Sequence, residues 1–332
     1  MKGYRHSLFV ALFLLLLPLG MKSGSLATEL VIYAMAACAC NLLLGYTGLM
    51  SFGQGIFFGV GSYAAGLLLL HLGSSLAFTL AGCMAAGACV AALVGWFSIR
   101  QRGIYFVMLT LAFAQMFYFM AYSMKEITGG DNGLLGIQRP DVTLLGHEVL
   151  DTSDPWAYYA VAACVFLVVF TLLQRLAESR FGHTLLAIRD NEARAAAVGY
   201  DVKAFKLLAF VVSGAVTGLA GGLHAMLAGI APLSNIEYHV SEMILLITVV
   251  GGTGSFLASV IGAAVYVVTA DWLASFWPRW LMLFGFLLIA VALYVRQGLW
   301  GVLQDVSARL QAWRTARAAP SSAPERHPGR QA

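Results

Sequence analysis

PWAYYAVAACVFLVVFTLLQ (155–174), RLAESRFGHTLLAIRDNEARAAAVGYDVKA (175–204) and FKLLAFVVSGAVTGLAGGLHAMLAG (205–229) are consecutive, and their reading decides the fold. The outer two are apolar runs of the length that crosses a hydrocarbon core of ~30 Å as a helix. The polar island between them extends to Lys206. It holds six basic residues (Arg175, Arg180, Arg189, Arg194, Lys203, Lys206) against four acids (Glu178, Asp190, Glu192, Asp201). Its middle, Thr184 to Val198, has good helix formers and no proline, which predicts one short helix. Leu185, Ile188, Ala195, Ala196 and Val198 supply its apolar stripe, and Gly199 stops it as a C′ glycine. Such a helix is neither membrane-spanning nor part of a large soluble domain, so it needs something to pack on. The reading is a second protein on the cytoplasmic side; the alternative is an ordinary solvated connector.

Working outward, 60% of the 332 residues are hydrophobic and only 11% are charged, about half the charged share of a soluble domain. The class is therefore all-α, a polytopic membrane helical bundle. Ten spans are expected at 6–21, 27–46, 55–72, 76–98, 103–122, 155–174, 205–229, 239–252, 257–276 and 280–296. The eighth is short enough to be re-entrant or broken. The first follows Lys2 and Arg5 and lacks a convincing small-x-small cleavage site, so it reads as an uncleaved helix rather than a removed signal.

Lysine and arginine set the orientation. Arg100 and Arg102, the island 175–206, and a tail with Arg296, Arg309, Arg314, Arg317, Arg326 and Arg330 belong on the cytoplasmic side. Loop 123–154 carries Lys125 and Arg139 against Glu126, Asp131, Asp141, Glu148, Asp151 and Asp154, and belongs outside. Ten spans with both termini cytoplasmic satisfy all of these. Trp156, Trp277 and Trp280 fall at expected outer ends of spans, and residues 301–332 read as a disordered cytoplasmic tail after a membrane domain 1–300. The net charge of +4 lies in loops and tail, so topology explains it without nucleic-acid binding. Cys38, Cys40, Cys83, Cys89 and Cys164 all lie in apolar runs and are expected as small core residues, not a metal site or disulfide framework.

An internal similarity appears at an offset of 203 residues: Leu42/Leu245, Leu43/Leu246, Gly48/Gly251, Gly59/Gly262 and Tyr63/Tyr266. In each copy a span breaks at a glycine-rich turn, GYTGLMSFGQG (45–55) or GGTGSF (251–256), and a second span returns. The expected arrangement is a parallel repeat with broken helices, of the kind transporters use. Backbone freed at membrane depth is tolerated where protein or a water-lined cavity satisfies it. Asn41, Thr47, Ser51, Gln54, Gln115, Thr253 and Ser255 are therefore the expected translocation-pathway residues. Close helix packing through small residues is the competing use of these glycines. His224, Glu242 and Asp271 are further polar groups in or beside spans, with Glu242 and Asp271 expected near interfaces and His224 as a packing residue. In the outer loop Thr128-Gly129-Gly130-Asp131-Asn132-Gly133 demands tight turns. No phosphate-binding G-x-x-x-x-G-K-[ST] loop and no stretch for a soluble catalytic domain are present, so the chain is not itself expected to hydrolyse ATP or to be an enzyme.

NLLLGYTGLMSFGQGIFFGVGSYAAG (41–66), RGIYFVMLTLAFAQ (102–115), TGGDNG (128–133), SRFGHTLLAIRDNEARAAAVGYDVKAFKLLAF (179–210) and VVGGTGSFLASVIGA (249–263) occur in the order found in a known family. Over most of 30–300 the chain resembles the branched-chain amino acid ABC-importer permeases of the LivM type. The resemblance implies a multi-pass bacterial inner-membrane subunit. Its implied partners are a second related permease, two cytoplasmic ATPase subunits that use ATP and magnesium, and a periplasmic binding protein. It also gives the island a role. Glu192, Ala193, Ala195, Ala196 and Gly199 resemble the loop through which importer permeases engage a groove on the ATPase, with Arg189, Asp190 and Glu192 expected at its rim. The implied cargo is a branched-chain or related neutral amino acid, with urea or an amide as the alternative. An ion-coupled secondary transporter would instead need an essential carboxylate, Glu242 or Asp271. An intramembrane enzyme would need acidic partners for His224, and the sequence offers no such constellation.

Overall fold

The computed structural model describes residues 2–276 apart from 22, 141, 145, 146 and 151, together with 282–283, 285–286, 298 and 300–301. The long helices are α1 (Lys2–Gly20), α2 (Gly24–Asn41), α3 (Gln54–Leu72), α4 (Leu76–Ser98), α5 (Ile104–Ser123), α7 (Pro155–Glu178), α10 (Val202–Ala228), α11 (Tyr238–Gly251) and α12 (Phe256–Phe276). Short helices α6 (Lys125–Thr128), α8 (Arg180–Asp190) and α9 (Glu192–Ala197) lie between them. Seven helices among the described residues are long and apolar enough to cross a membrane, and His6–Pro18 and Tyr238–Gly251 are shorter apolar helices. The polytopic bundle is thus as expected. Most of the tenth expected span, Trp277, Trp280 and nearly all of the tail lie outside the described residues.

α2 is the central post, buried along almost its whole length. α12, α10 and α7 pack around it. α3, α4 and α10 form a second layer held by glycine. A Cβ on Gly61 would meet the Gly218 backbone, one on Gly221 the Phe58 backbone, and one on Gly87 the Gly214 backbone. Because lipid is as apolar as the side chains, helices associate here by close backbone approach and hydrogen bonding rather than by the hydrophobic effect. Ser62 Oγ donates to Gly221 O across the same seam (2.8 Å).

Two departures from the expected pattern have local causes. The island forms two helices rather than one, because Asn191 is extended (φ −160°, ψ 101°) and its Oδ1 accepts from Arg194 N. An asparagine that caps a new helix ends the old one. Cys38, Cys40 and Cys83 are buried as expected, but Cys89 and Cys164 are exposed, since α4 and α7 turn those faces outward from the bundle.

The eighth span is short for a mechanical reason. β4 (Ile230–Ala231) pairs antiparallel with β1 (Leu134–Leu135), and the chain then turns back into the bundle. Asn235 Nδ2 donates to Ser62 Oγ (3.1 Å), and a Cβ on Gly59 would strike Ile236. α11 therefore starts beside the first turn of α3, where Gly55 lies against Glu237 and Ser241, and has 14 residues, or about 21 Å of helix. In loop 123–154, β2 (Val142–Leu144) and β3 (His147–Leu150) form a hairpin. Gly129, Gly130 and Gly133 take φ of 76°, 63° and 68°, as the expected tight turns require. Arg139 bonds Met226 O and Leu227 O and stacks over Tyr158 (4.8 Å), fastening this loop to the end of α10.

Candidate functional site

α2 does not end as an α-helix. Leu42–Thr47 winds as a π-helix, Gly48 turns left-handed (φ 73°), and residues 48–53 run without helix before α3 starts at Gln54. A π-turn leaves carbonyls without their usual i+4 partners and commonly marks functional positions. Seven residues separate Lys206 from Ser213, so Gln54, bonded to Ser213, lies about 10 Å deeper along α10 than the island. Gln54 Nε2 donates to Ser213 Oγ (3.1 Å), Ser213 Oγ to Ala39 O (2.7 Å), and Thr217 Oγ1 to Gln54 Oε1 (2.7 Å). α2, α3 and α10 are thereby tied at one level. Gly55 N donates to Ser241 Oγ (2.7 Å), which adds α11.

The second glycine turn, 252–255, lies directly against the first. Asn41 Nδ2 donates to Ser255 O and Ser259 Oγ (2.8 Å each), and its Oδ1 accepts from Gly254 N (3.0 Å). A Cβ on Gly45 would stand 2.6 Å from Gly254 N, so the first turn needs glycine's bare backbone at 45 for the two to meet. Gly252 and Gly254 have φ of 117° and 94°.

The island reaches the same junction. Arg189 Nη1 donates to Gly45 O, a carbonyl of the π-helix, and its Cγ lies where a Cβ on Gly48 would be at 3.1 Å. Glu192 joins Lys206 Nζ (2.9 Å) and Arg102 Nη2 (3.3 Å), linking α9 to the start of α10 and to the loop before α5. Ile188, Ala195, Val202 and Phe205 form a small apolar cluster beneath α8 and α9. Val198 ends α9, and Gly199 (φ 100°) follows. Gly199 N bonds Ala196 O and Tyr200 N bonds Ala195 O, the paired closure expected of a C′ glycine.

Of the residues expected in coupling, Asp190, Ala193, Ala196 and Gly199 are exposed, whereas Ala195 is buried in the supporting cluster. Arg189 and Glu192 turn part of their side chains inward, to Gly45 and to Lys206. Of the expected pathway residues, Asn41, Thr47, Ser51 and Gln54 are buried and bonded within this chain. Gln115 and Ser255 are half-buried, and Thr253 is exposed. His224 packs on Phe58 (ring centroids 5.3 Å apart) and lies within 3.4 Å of the Asn235 amide. Glu242 is exposed beside His239 (3.6 Å). Asp271 lines a cavity of about 860 Å³ together with Glu29 and His224. Sequence reasoning missed Glu29, although a lone carboxylate inside the apolar run 27–46 was the available signal. It also missed Arg102 and Lys206 as partners of Glu192, which nothing in sequence spacing announces.

A bundle of membrane-crossing helices, two of them broken by apposed glycine turns and tied to a polar surface outside the bundle, defines the membrane-spanning part of a transporter. The chain belongs to the family described as branched-chain amino acid transport system / permease component, whose model matches residues 24–293. It is 30% identical over 296 residues to the high-affinity branched-chain amino acid transport system permease protein LivM of Escherichia coli (strain K12), covering 82% of this chain and 69% of that protein. It is 24% identical over 315 residues to a probable LivM permease of Methanocaldococcus jannaschii, covering 81% and 90%. The L-arabinose transport system permease protein AraH of Escherichia coli (strain K12) is 32% identical over 177 residues, covering 53% and 49%. No solved structure matches the chain at a significant level. The protein is a multi-pass inner-membrane permease subunit of an ABC importer, not an enzyme.

Proposed function

We propose that this permease carries a branched-chain or related neutral amino acid, and that α8 and α9 are the surface on which a separate ATPase subunit acts. The substrate reading rests on relatives named for branched-chain amino acid transport. The partners are a second related permease, two ATPases that use ATP and magnesium, and a periplasmic binding protein. The finer topology is ten spans with both termini cytoplasmic, the island 175–206 as coupling loop and 123–154 as periplasmic loop. The two glycine-broken helices form a parallel repeat whose polar groups, with Gln115, line the pathway.

One observation carries the coupling reading: Arg189, from the exposed helix pair, holds a carbonyl of the π-helix at the broken end of α2. Exposed Ala193, Ala196 and Ala197 form the face that docks, small enough for close approach to a groove. Glu192 and Lys206 make that face rigid with α10. When the ATPases close and draw α8–α9 together, Arg189 pulls on 45–48, and Asn41 passes the displacement to 252–255. Rigid helices moving about two glycine hinges expose the pathway to opposite sides in turn.

The test is uptake of radiolabelled leucine in proteoliposomes, with and without co-expressed ATPase subunits, for wild type and Glu192→Lys. Uptake that needs the ATPases, and a folded variant that no longer binds them, supports the reading. Ion-gradient-driven uptake by this chain alone, indifferent to Glu192, would overturn it and turn attention to Glu242 and Asp271. Competition by urea or amides over leucine would move the substrate to the alternative class.

A further inference from the structure

Where α4 ends and α10 begins, a groove of about 420 Å³ opens between them. Gly95, Ile99 and Leu207 give it an apolar floor, and Trp96, Arg100 and Lys203 stand at its edge. The Arg100 guanidinium lies 5.3 Å from the centre of the Trp96 ring. Both helices change here from apolar span to polar connection, so the groove sits at the level of phospholipid headgroups. Trp96 (58% exposed), Phe97 and Leu93 continue an apolar face away from it along α4. Among the described residues, neither Arg100 nor Lys203 forms an ion pair. The one acid in the groove, Asp201, is already engaged as the cap of α10, its Oδ1 accepting from Ala204 N (3.2 Å).

We infer that this groove is a binding site for one anionic phospholipid. The phosphodiester sits between Arg100 and Lys203, and an acyl chain lies along Trp96 and the α4 face. Two cations outside any ion pair, against one acid engaged as a helix cap, select a net-negative headgroup over a zwitterionic one. Each cation near a headgroup contributes a factor of about five in binding. The apolar floor, continuous with a lipid-facing helix, selects a lipid over a free phosphate. The consequence lies at the island. Lys203 is three residues from Lys206, which holds Glu192, so a bound lipid steadies the junction from which α9 projects.

The experiment is native mass spectrometry of the purified chain in detergent, titrated with phosphatidylglycerol, phosphatidylcholine or inorganic phosphate. Wild type should retain one phosphatidylglycerol with about five-fold or greater preference over phosphatidylcholine, and no inorganic phosphate. Arg100→Gln/Lys203→Gln should lose that preference, whereas Lys125→Gln at the other end of the bundle should keep it. Equal retention of the two lipids by wild type, or undiminished phosphatidylglycerol binding by the double variant, overturns the inference. So does phosphate binding as tight as lipid binding. If the double variant fails to fold, Lys203→Gln alone is read in the same way, with a loss of about five-fold expected.

Discussion

Asn41 shows how one side chain can hold two broken helices. Its amide group donates twice and accepts once across the junction, and each partner is backbone or a hydroxyl of the 252–259 segment. A hydrogen bond inside a membrane bundle contributes roughly 0.6–2 kcal/mol. Asn41→Leu keeps the volume but removes all three bonds, so it should destabilise the folded chain by about 1–3 kcal/mol. Asn41→Asp keeps the acceptor for Gly254 N but buries a carboxyl against Ser255 O, so it should destabilise at least as much as the Leu variant. Denaturant titration in mixed micelles checks the order, and a Leu variant as stable as wild type would refute the role. Glu192 makes a different prediction. Lys206 keeps only 10% of its side chain exposed, whereas Arg102 is 78% exposed. Removing the exposed partner should cost little, ~0–1 kcal/mol. Removing Glu192 strands a buried amine. Glu192→Gln should therefore destabilise more than Arg102→Gln, and Glu192→Gln/Lys206→Met should recover part of the loss. A double variant no more stable than Glu192→Gln alone would contradict this.

The elements pack where glycine permits it, and α3, α4 and α10 are the test. Gly221→Ala would drive a Cβ into the Phe58 backbone and Gly61→Ala into Gly218, with no flexible side-chain end to yield. Each should cost at least as much as an overpacked core, about 1–3 kcal/mol, whereas Gly20→Ala, with nothing within 4 Å, should be neutral. Thermal unfolding of the three variants in detergent distinguishes them; equal melting temperatures would mean the layers separate more easily than their geometry implies. The apolar runs that became α2, α3, α4, α5, α7, α10 and α12 were legible because length and hydropathy alone specify a span. The glycine breaks at 45–55 and 251–256 were legible as breaks. That they touch was not, because it depends on the fit of Gly45 to Gly254 across 209 residues of chain. The return of 230–237 into the bundle was hidden for the same reason, resting on Asn235 meeting Ser62. The split of the island at Asn191 turned on local competition. Helix propensity around it favoured continuation, but the Asn191 side chain captured Arg194 N and began a new helix.

At the scale of the whole molecule, the parts sort to two ends. Ser7 and Leu8 share a groove with Gln174, Arg175 and Glu178, so the start of α1 lies at the island's end of α7. Gly24 meets Pro155 at the opposite end, where Arg139 fastens loop 123–154 to α10. The bundle therefore carries its basic island and its acidic loop at opposite poles, which is the arrangement that lysine and arginine bias selects on insertion. This gives a direct prediction. In a background with the five native cysteines replaced, Asp131→Cys and Arg194→Cys each place a thiol at an exposed position. A membrane-impermeant maleimide added to intact cells stripped of their outer membrane should label position 131 fully and position 194 only after permeabilisation. A reporter fused after residue 332 should behave like position 194 if ten spans place both termini with the island. Labelling of 131 and 194 from the same side would break the bundle's polarity. A C-terminal reporter that follows 131 would instead leave the island where it is and make the number of crossings odd.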